Sequence, residues 1–337
     1  MNGRSTPRWR RGSLRAFAVL RACGILALIG PLAAPAGGER RPAGKVESCV
    51  FPTQSLPPAF RVPKKFRDGY QLFQAVAGYL PEEMTVKGVI VMGGPAIGLR
   101  PDAAKRLYAG LDQVYRSIAA DPLFQDIPSA LPYCLADKRP TQGHYFAYYP
   151  AKITDDTPVI VFLHGFGGNF LFYTWLLKEE FPDAVILLPS WSGSWYDGTQ
   201  QYLDDMLADV KRRRSLAIRK PCLMAISGGG PAGFRLYNEA PERFSCYVSI
   251  ASAPSLATVG ALKKDLRILM VNGKKDTGFP IAVVESIADK LARRLPPFRL
   301  HVIDGDHFFL LSKRKETFRT IKAFLAEERT ARLLDRD

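Results

Sequence analysis

Metal-ligand spacing is absent from this chain. Its 337 residues hold only four histidines and five cysteines, and no pair is spaced as CxxC or HxxxH. A metal centre would have to be built mostly from carboxylates, so neither a metal nor another cofactor is expected. No internal repeat occurs, and no low-complexity tract lies beyond the N-terminal segment. The net charge of +15 is not arranged as a basic stripe with interleaved aromatics. That absence argues against nucleic acid as a partner.

Much of the charge is local. The first 44 residues hold eight arginines and no lysine against Glu39 alone. The run Lys211 to Arg214 is read as the exposed C-terminal end of a helix, where cations suit the helix dipole. Arg4, Arg8, Arg10, Arg11 and Arg15 precede an apolar run from Ala22 to Ala36, which closes on small residues at Ala34-Pro-Ala36. This is the pattern of an export signal over residues 1–36, which implies a periplasmic or secreted protein. The run is shorter than the roughly 20 residues of a bilayer-spanning helix. An uncleaved N-terminal anchor is the alternative, and the only membrane contact expected.

Four cysteines lie beyond that segment. Cys222 and Cys246 start apolar strands and read as buried thiols, whereas Cys49 and Cys134 flank an irregular stretch. A bridge between the latter two would contribute on the order of 4 kcal/mol in the chain-entropy model.

Two regions follow residue 44. Residues 45–141 carry Pro52, Pro57, Pro58 and Pro63, an apolar run Val89–Met92 that reads as a short strand, and a helix opened by Pro101-Asp102 and reaching about Ala120. This is an N-terminal extension that packs on the next domain or serves as a lid. Residues 142–332 alternate short apolar strands with amphipathic helices. Strands are expected at Tyr145–Tyr149, Val159–His164, Ala184–Pro189, Cys222–Ile226, Tyr247–Ala251, Arg267–Val271 and Arg299–Ile303. Continuous apolar strands joined by helical crossovers predict an α/β fold, a mostly parallel twisted sheet with helices on both faces. Sites in such sheets form at the carboxyl ends of the strands.

Ser227 stands at such an end, in Ala225-Ile-Ser-Gly-Gly-Gly230. A strand that ends on a nucleophile and turns at once into a helix needs small residues two before and two after it, here Ala225 and Gly229. A serine hydroxyl also needs a base and an oriented third group. His307 follows the strand Arg299–Ile303, and Asp276 follows the strand Arg267–Val271. Asp304 and Asp306, on the same loop as His307, are rivals to Asp276.

These turns, with Leu163-His-Gly-Phe-Gly-Gly168, resemble those of the α/β-hydrolase superfamily over roughly residues 145–332, in the family's order Ser, Asp, His. The resemblance implies a catalytic triad of Ser227, Asp276 and His307 and an oxyanion hole from the backbone N–H groups of Phe166 and Gly228. His164 would brace that loop. Ala225 replaces the family's usual glycine and is small enough for the turn. Trp191, Trp195 and Tyr196, in a polar loop on the same rim, are expected to line the substrate pocket. The implied activity is an exported serine esterase acting on an acyl substrate. A peptidase of the same fold and a non-catalytic envelope-binding relative are the alternatives.

Overall fold

Apolar residues line both faces of the central strands, so the sheet must be covered on both sides. The structure, a computed structural model, describes residues 44–55, 80–93, 99–134, 142–191, 198–260, 262–263, 266–295 and 298–334. Its strands are β1 Lys45–Phe51, β2 Gly143–Tyr149, β3 Val159–Leu163, β4 Val185–Ser190, β5 Cys222–Ile226, β6 Tyr247–Ile250, β7 Ile268–Gly273 and β8 Arg299–Ile303. They form one sheet in the order β1-β2-β4-β3-β5-β6-β7-β8. Only β2 runs against its neighbours; every other adjacent pair from β4 to β8 is parallel. This strand order with a single reversed strand is the α/β-hydrolase fold.

Along β5 the side chains alternate between two cores. Cys222, Met224 and Ile226 face one, Leu223 and Ala225 the other. The first core is covered by α1 Glu82–Gly93, α2 Pro101–Ala120, α3 Leu131–Cys134, α4 Leu171–Glu180, α9 Phe309–Ser312 and α10 Arg314–Leu334. The second is covered by α5 Thr199–Arg214, α6 Gly230–Glu239, α7 Leu256–Gly260 and α8 Ile281–Arg294. Lys211 to Arg214 close α5 as expected. Within that run Arg213 meets the buried Asp209, and Arg214 pairs with Glu47 of β1.

The region before β2 departs from the sequence reading at two places. Lys45–Phe51 is the edge strand of the main sheet, where no strand was expected. Its neighbouring prolines and its charged start conceal it, but seven residues pair with β2. Val89–Met92 lies inside α1 rather than in a strand. Its β-branched run suggests extended backbone, yet Glu82, Thr85, Val86 and Ile90 are buried at helical spacing. Tertiary packing on α2 and α4 decides the outcome. The helix at Pro101–Ala120 is where the sequence places it.

Cys49 and Cys134 belong to opposite cores, so the bridge considered above does not form; all four described cysteines are free and buried. The export segment falls in residues 1–43, outside the described residues. Among the described residues no helix is long and apolar enough to cross a membrane.

Helix α6 lies against β6 so closely that a methyl group on Gly233 would stand 2.5 Å from the Tyr247 ring. That ring is fully buried, and its hydroxyl donates to the Gly230 carbonyl at 2.7 Å. Gly233→Ala gains about 1 kcal/mol of helix propensity but forces the overlap, at about 1–3 kcal/mol. We expect a net fall in the denaturation midpoint; an unchanged midpoint would mean that the ring yields without cost.

Candidate active site

The turn after β5 is tight. Ser227 has φ 49°, in the left-handed region where a side chain is strained. Glycines make the turn possible by letting backbones approach. A Cβ on Gly229 would stand 2.6 Å from the His164 carbonyl oxygen, and one on Gly230 would strike the Ser252 hydroxyl. A Cβ on Gly165 would stand 3.0 Å from that of Ser227. Ala225, in register with Leu163 and Ser249, is fully buried. The hydroxyl therefore has one way to point, out of the top of the sheet.

There it meets His307. Ser227 Oγ lies 2.9 Å from His307 Nε2, and His307 Nδ1 lies 2.8 Å from Asp276 Oδ2. The carboxylate can only accept, so Nδ1 carries the proton and Nε2 is left to accept from the serine. Asp276 is fixed in turn, because its Oδ1 accepts from the N–H groups of Gly278 and Phe279 at 2.8 and 3.0 Å. Its side chain is sealed from solvent, while that of His307 remains slightly open. The rivals are engaged elsewhere: Asp304 pairs with Lys275, and Asp306 Oδ1 accepts from the Phe308 N–H.

Phe166 and Gly228 also come together. A Cβ on Gly228 would lie 3.3 Å from the Phe166 backbone nitrogen, so the two backbones approach closely next to Ser227. The loop carrying Phe166 is anchored by His164, whose Nε2 accepts from the Trp191 N–H at 3.0 Å and whose Nδ1 faces the Gly165 carbonyl at 2.8 Å. This fixes a neutral imidazole with its proton on Nδ1. Burial pushes it down to about 4.

The aromatic residues expected in the pocket are placed differently. Trp191 is fully buried against Tyr202, centroids 4.9 Å apart and edge to face. It is core, and the expectation that it lines the pocket is corrected. Trp195 and Tyr196 lie outside the described residues. A cleft of about 570 Å³ is lined by Pro231, Arg235, Ser255, Leu256, Phe279 and Val283 among others, and Ser227, Asp276 and His307 are not part of its lining. Its volume is in the range of small-molecule sites. Leu256 and Val283 are exposed at it, and the Phe279 ring stacks on the His307 imidazole at 6.1 Å. The sequence hint was Phe279 itself, an apolar residue three positions after Asp276. Among the described residues no cluster of three or more histidine, cysteine or carboxylate side chains could hold a metal.

The chain matches no protein-family model and no curated protein. Among solved structures it is similar to the Pyrococcus furiosus esterase Pf2001 (13% identity, TM-score 0.46, 55% of this chain and 87% of that one). It is also similar to naproxen esterase, carboxylesterase NP, from Bacillus subtilis (12%, 0.43, 55% and 87%) and to Est1E from Butyrivibrio proteoclasticus (13%, 0.43, 56% and 94%). The fold is read from strand order and direction rather than from these likenesses.

Two expectations follow from the geometry. Ser227→Gly should be about 1–2 kcal/mol more stable than Ser227→Ala, since only glycine is at ease at this φ; equal denaturation midpoints would show that the turn relaxes.

The second concerns pH. Burial pushes His144 down to about 3 and His164 to about 4, from 6.5. Their contribution to stability is complete above pH 6.5 and is lost as pH falls toward those values. Burial raises Glu82 from 4.5 to about 7, against the lowering effect of the Leu171 N–H, so its contribution is complete below 4.5 and lost as pH rises through 7. Between pH 6.5 and 4.5 two imidazoles oppose one carboxyl. The melting temperature should therefore fall from pH 7 to pH 5, and more steeply in Glu82→Gln. A melting temperature that rises on acidification would mean that the imidazoles bind protons in the folded state.

Proposed function

We propose that this protein is a serine hydrolase that cleaves a carboxylic ester through an acyl-enzyme on Ser227. The observation that supports it is the unbroken hydrogen-bonded chain from Ser227 Oγ through His307 to the buried Asp276. His307 Nε2 takes the hydroxyl proton as Oγ bonds to the acyl carbon. The carbonyl electron pair moves onto oxygen, where the Phe166 and Gly228 N–H groups receive the charge. Asp276 stabilises the imidazolium and holds its orientation. Collapse of the tetrahedral adduct expels the alcohol, protonated by His307. Water, deprotonated by the same imidazole, then releases the acid and restores Ser227.

An ester is favoured over an amide because an alcohol leaves more readily than an amine; His307 is the proton donor in either case. Export through residues 1–36 belongs to the same reading, with the substrate met outside the cytoplasm.

A fluorophosphonate probe should label the parent at Ser227 and leave Ser227→Ala unlabelled. Asp276→Asn should lower kcat on an aryl ester by about 10⁴, by analogy with a serine-protease triad. Folded parent protein that takes no label would favour a non-catalytic binding role, and preferential turnover of aminoacyl amides would favour a peptidase.

A further inference from the structure

The loop that presents the Phe166 N–H is intrinsically loose. Residues 164–170 contain Gly165, Gly167 and Gly168, of which the last two have φ 97° and 124°, and Phe166 is 64% exposed. Such a segment holds a donor in place only if both of its ends are fixed. His164 fixes the β3 end through Trp191. The other end runs into α4, whose first residue follows Phe170, a cap position with no side-chain hydrogen bond of its own.

Two of the contacts that hold this second end come from the region before β2. Glu82, buried at the start of α1, accepts the Leu171 N–H on Oε1 at 2.7 Å. The same oxygen accepts the Tyr115 hydroxyl of α2 at 2.8 Å, which fixes the carboxyl group between three helices. Cys134 of α3 accepts the Asn169 N–H on Sγ at 3.2 Å. It also closes on the loop itself, since a Cβ on Gly168 would stand 2.9 Å from the Cys134 Cβ. Asn169 in turn donates from Nδ2 to the Leu188 carbonyl at 2.7 Å, which ties this end to β4.

We propose that Glu82, assisted by Cys134, is a positioning residue for the oxyanion donor Phe166, and that the region before β2 braces the site from below. The inference rests on the proposed esterase reading, and it assigns the extension a role in forming the transition state. Glu82 touches no reacting atom. It acts by holding the first turn of α4, five residues from the donor, so that the loop keeps its N–H beside that of Gly228. A helix start left without this acceptor can shift, and the loop shifts with it.

The test uses the full chain and an aryl ester with a trifluoromethyl ketone of the same acyl group. The ketone adds Ser227 and presents an oxyanion to the same donors, so its Ki reports the hole directly. Glu82→Ala should lower kcat by about 10-fold or more, short of the 10²–10³ lost with a whole donor, with Ki raised by the same factor and KM nearly unchanged. Glu82→Gln keeps an acceptor oxygen and should recover most of the loss. Cys134→Ala should move kcat and Ki together in the same direction, more weakly.

Titrating Ser227 with the fluorophosphonate gives the number of competent sites in each preparation. Parental kcat per titrated site in Glu82→Ala would overturn the brace, as would a fall in kcat without a change in Ki. If Glu82→Ala does not fold, parental kcat and Ki in Cys134→Ala overturn it instead. A parent that neither takes the label nor turns over ester would sink the hydrolase reading itself, a result distinct from these.

Discussion

The left-handed backbone at Ser227 is the constraint around which the rest of the site is arranged. A residue with a side chain is held where glycine would be at ease, at a cost of order 1–3 kcal/mol. The conformation persists because packing around it leaves no alternative. Ala225 is enclosed between β3 and β6, Gly229 lies on the carbonyls that end β3, and Gly230 sits against Ser252. The same close approach that strains the turn brings the Gly228 and Phe166 backbones together. The proposed nucleophile and oxyanion donors are thus two consequences of one piece of backbone packing.

Support for that arrangement comes from unequal sources. On the Asp276 side it is local: the carboxylate accepts from two N–H groups of its own turn, and the imidazole needs only β7 and β8 to be neighbours. On the Phe166 side it is distant. His164 reaches a backbone donor beyond β4, and α4 begins on a carboxylate that is 89 residues earlier in the chain. The part of the molecule that most resembles a separate extension is therefore built into the sheet at β1 and into the site at Glu82. Its burial is what makes it effective, since a hydrogen bond to a helix end counts for more where water cannot replace it.

Legibility in the sequence followed the range of the interaction. Strands β2 to β8 were readable because each is a short apolar run bounded by turn residues, and the helix Pro101–Ala120 because Pro101-Asp102 opens it. Ser227, Asp276 and His307 were readable because each follows such a strand. β1 was not, since an edge strand with Lys45 and Glu47 at its start has no continuous apolar run. Val89–Met92 was misread because four residues cannot separate a buried helix from a strand by period alone. Trp191 was misread as well. Its neighbours in sequence are polar, but its neighbours in space are Tyr202 and the second core.

Composition and local pattern by themselves determined that this chain forms a parallel α/β sheet and that three chemically suited side chains stand at the ends of its strands. Those are properties of short windows, in which burial on both faces and a turn forced by glycine leave their mark. Strand order, the pairing of His307 with Asp276 rather than with Asp304 or Asp306, the burial of Trp191 and the reach of Glu82 to α4 were decided only by tertiary structure. Each depends on which distant segments come to lie side by side, and a contact across 89 positions writes no periodicity into either partner.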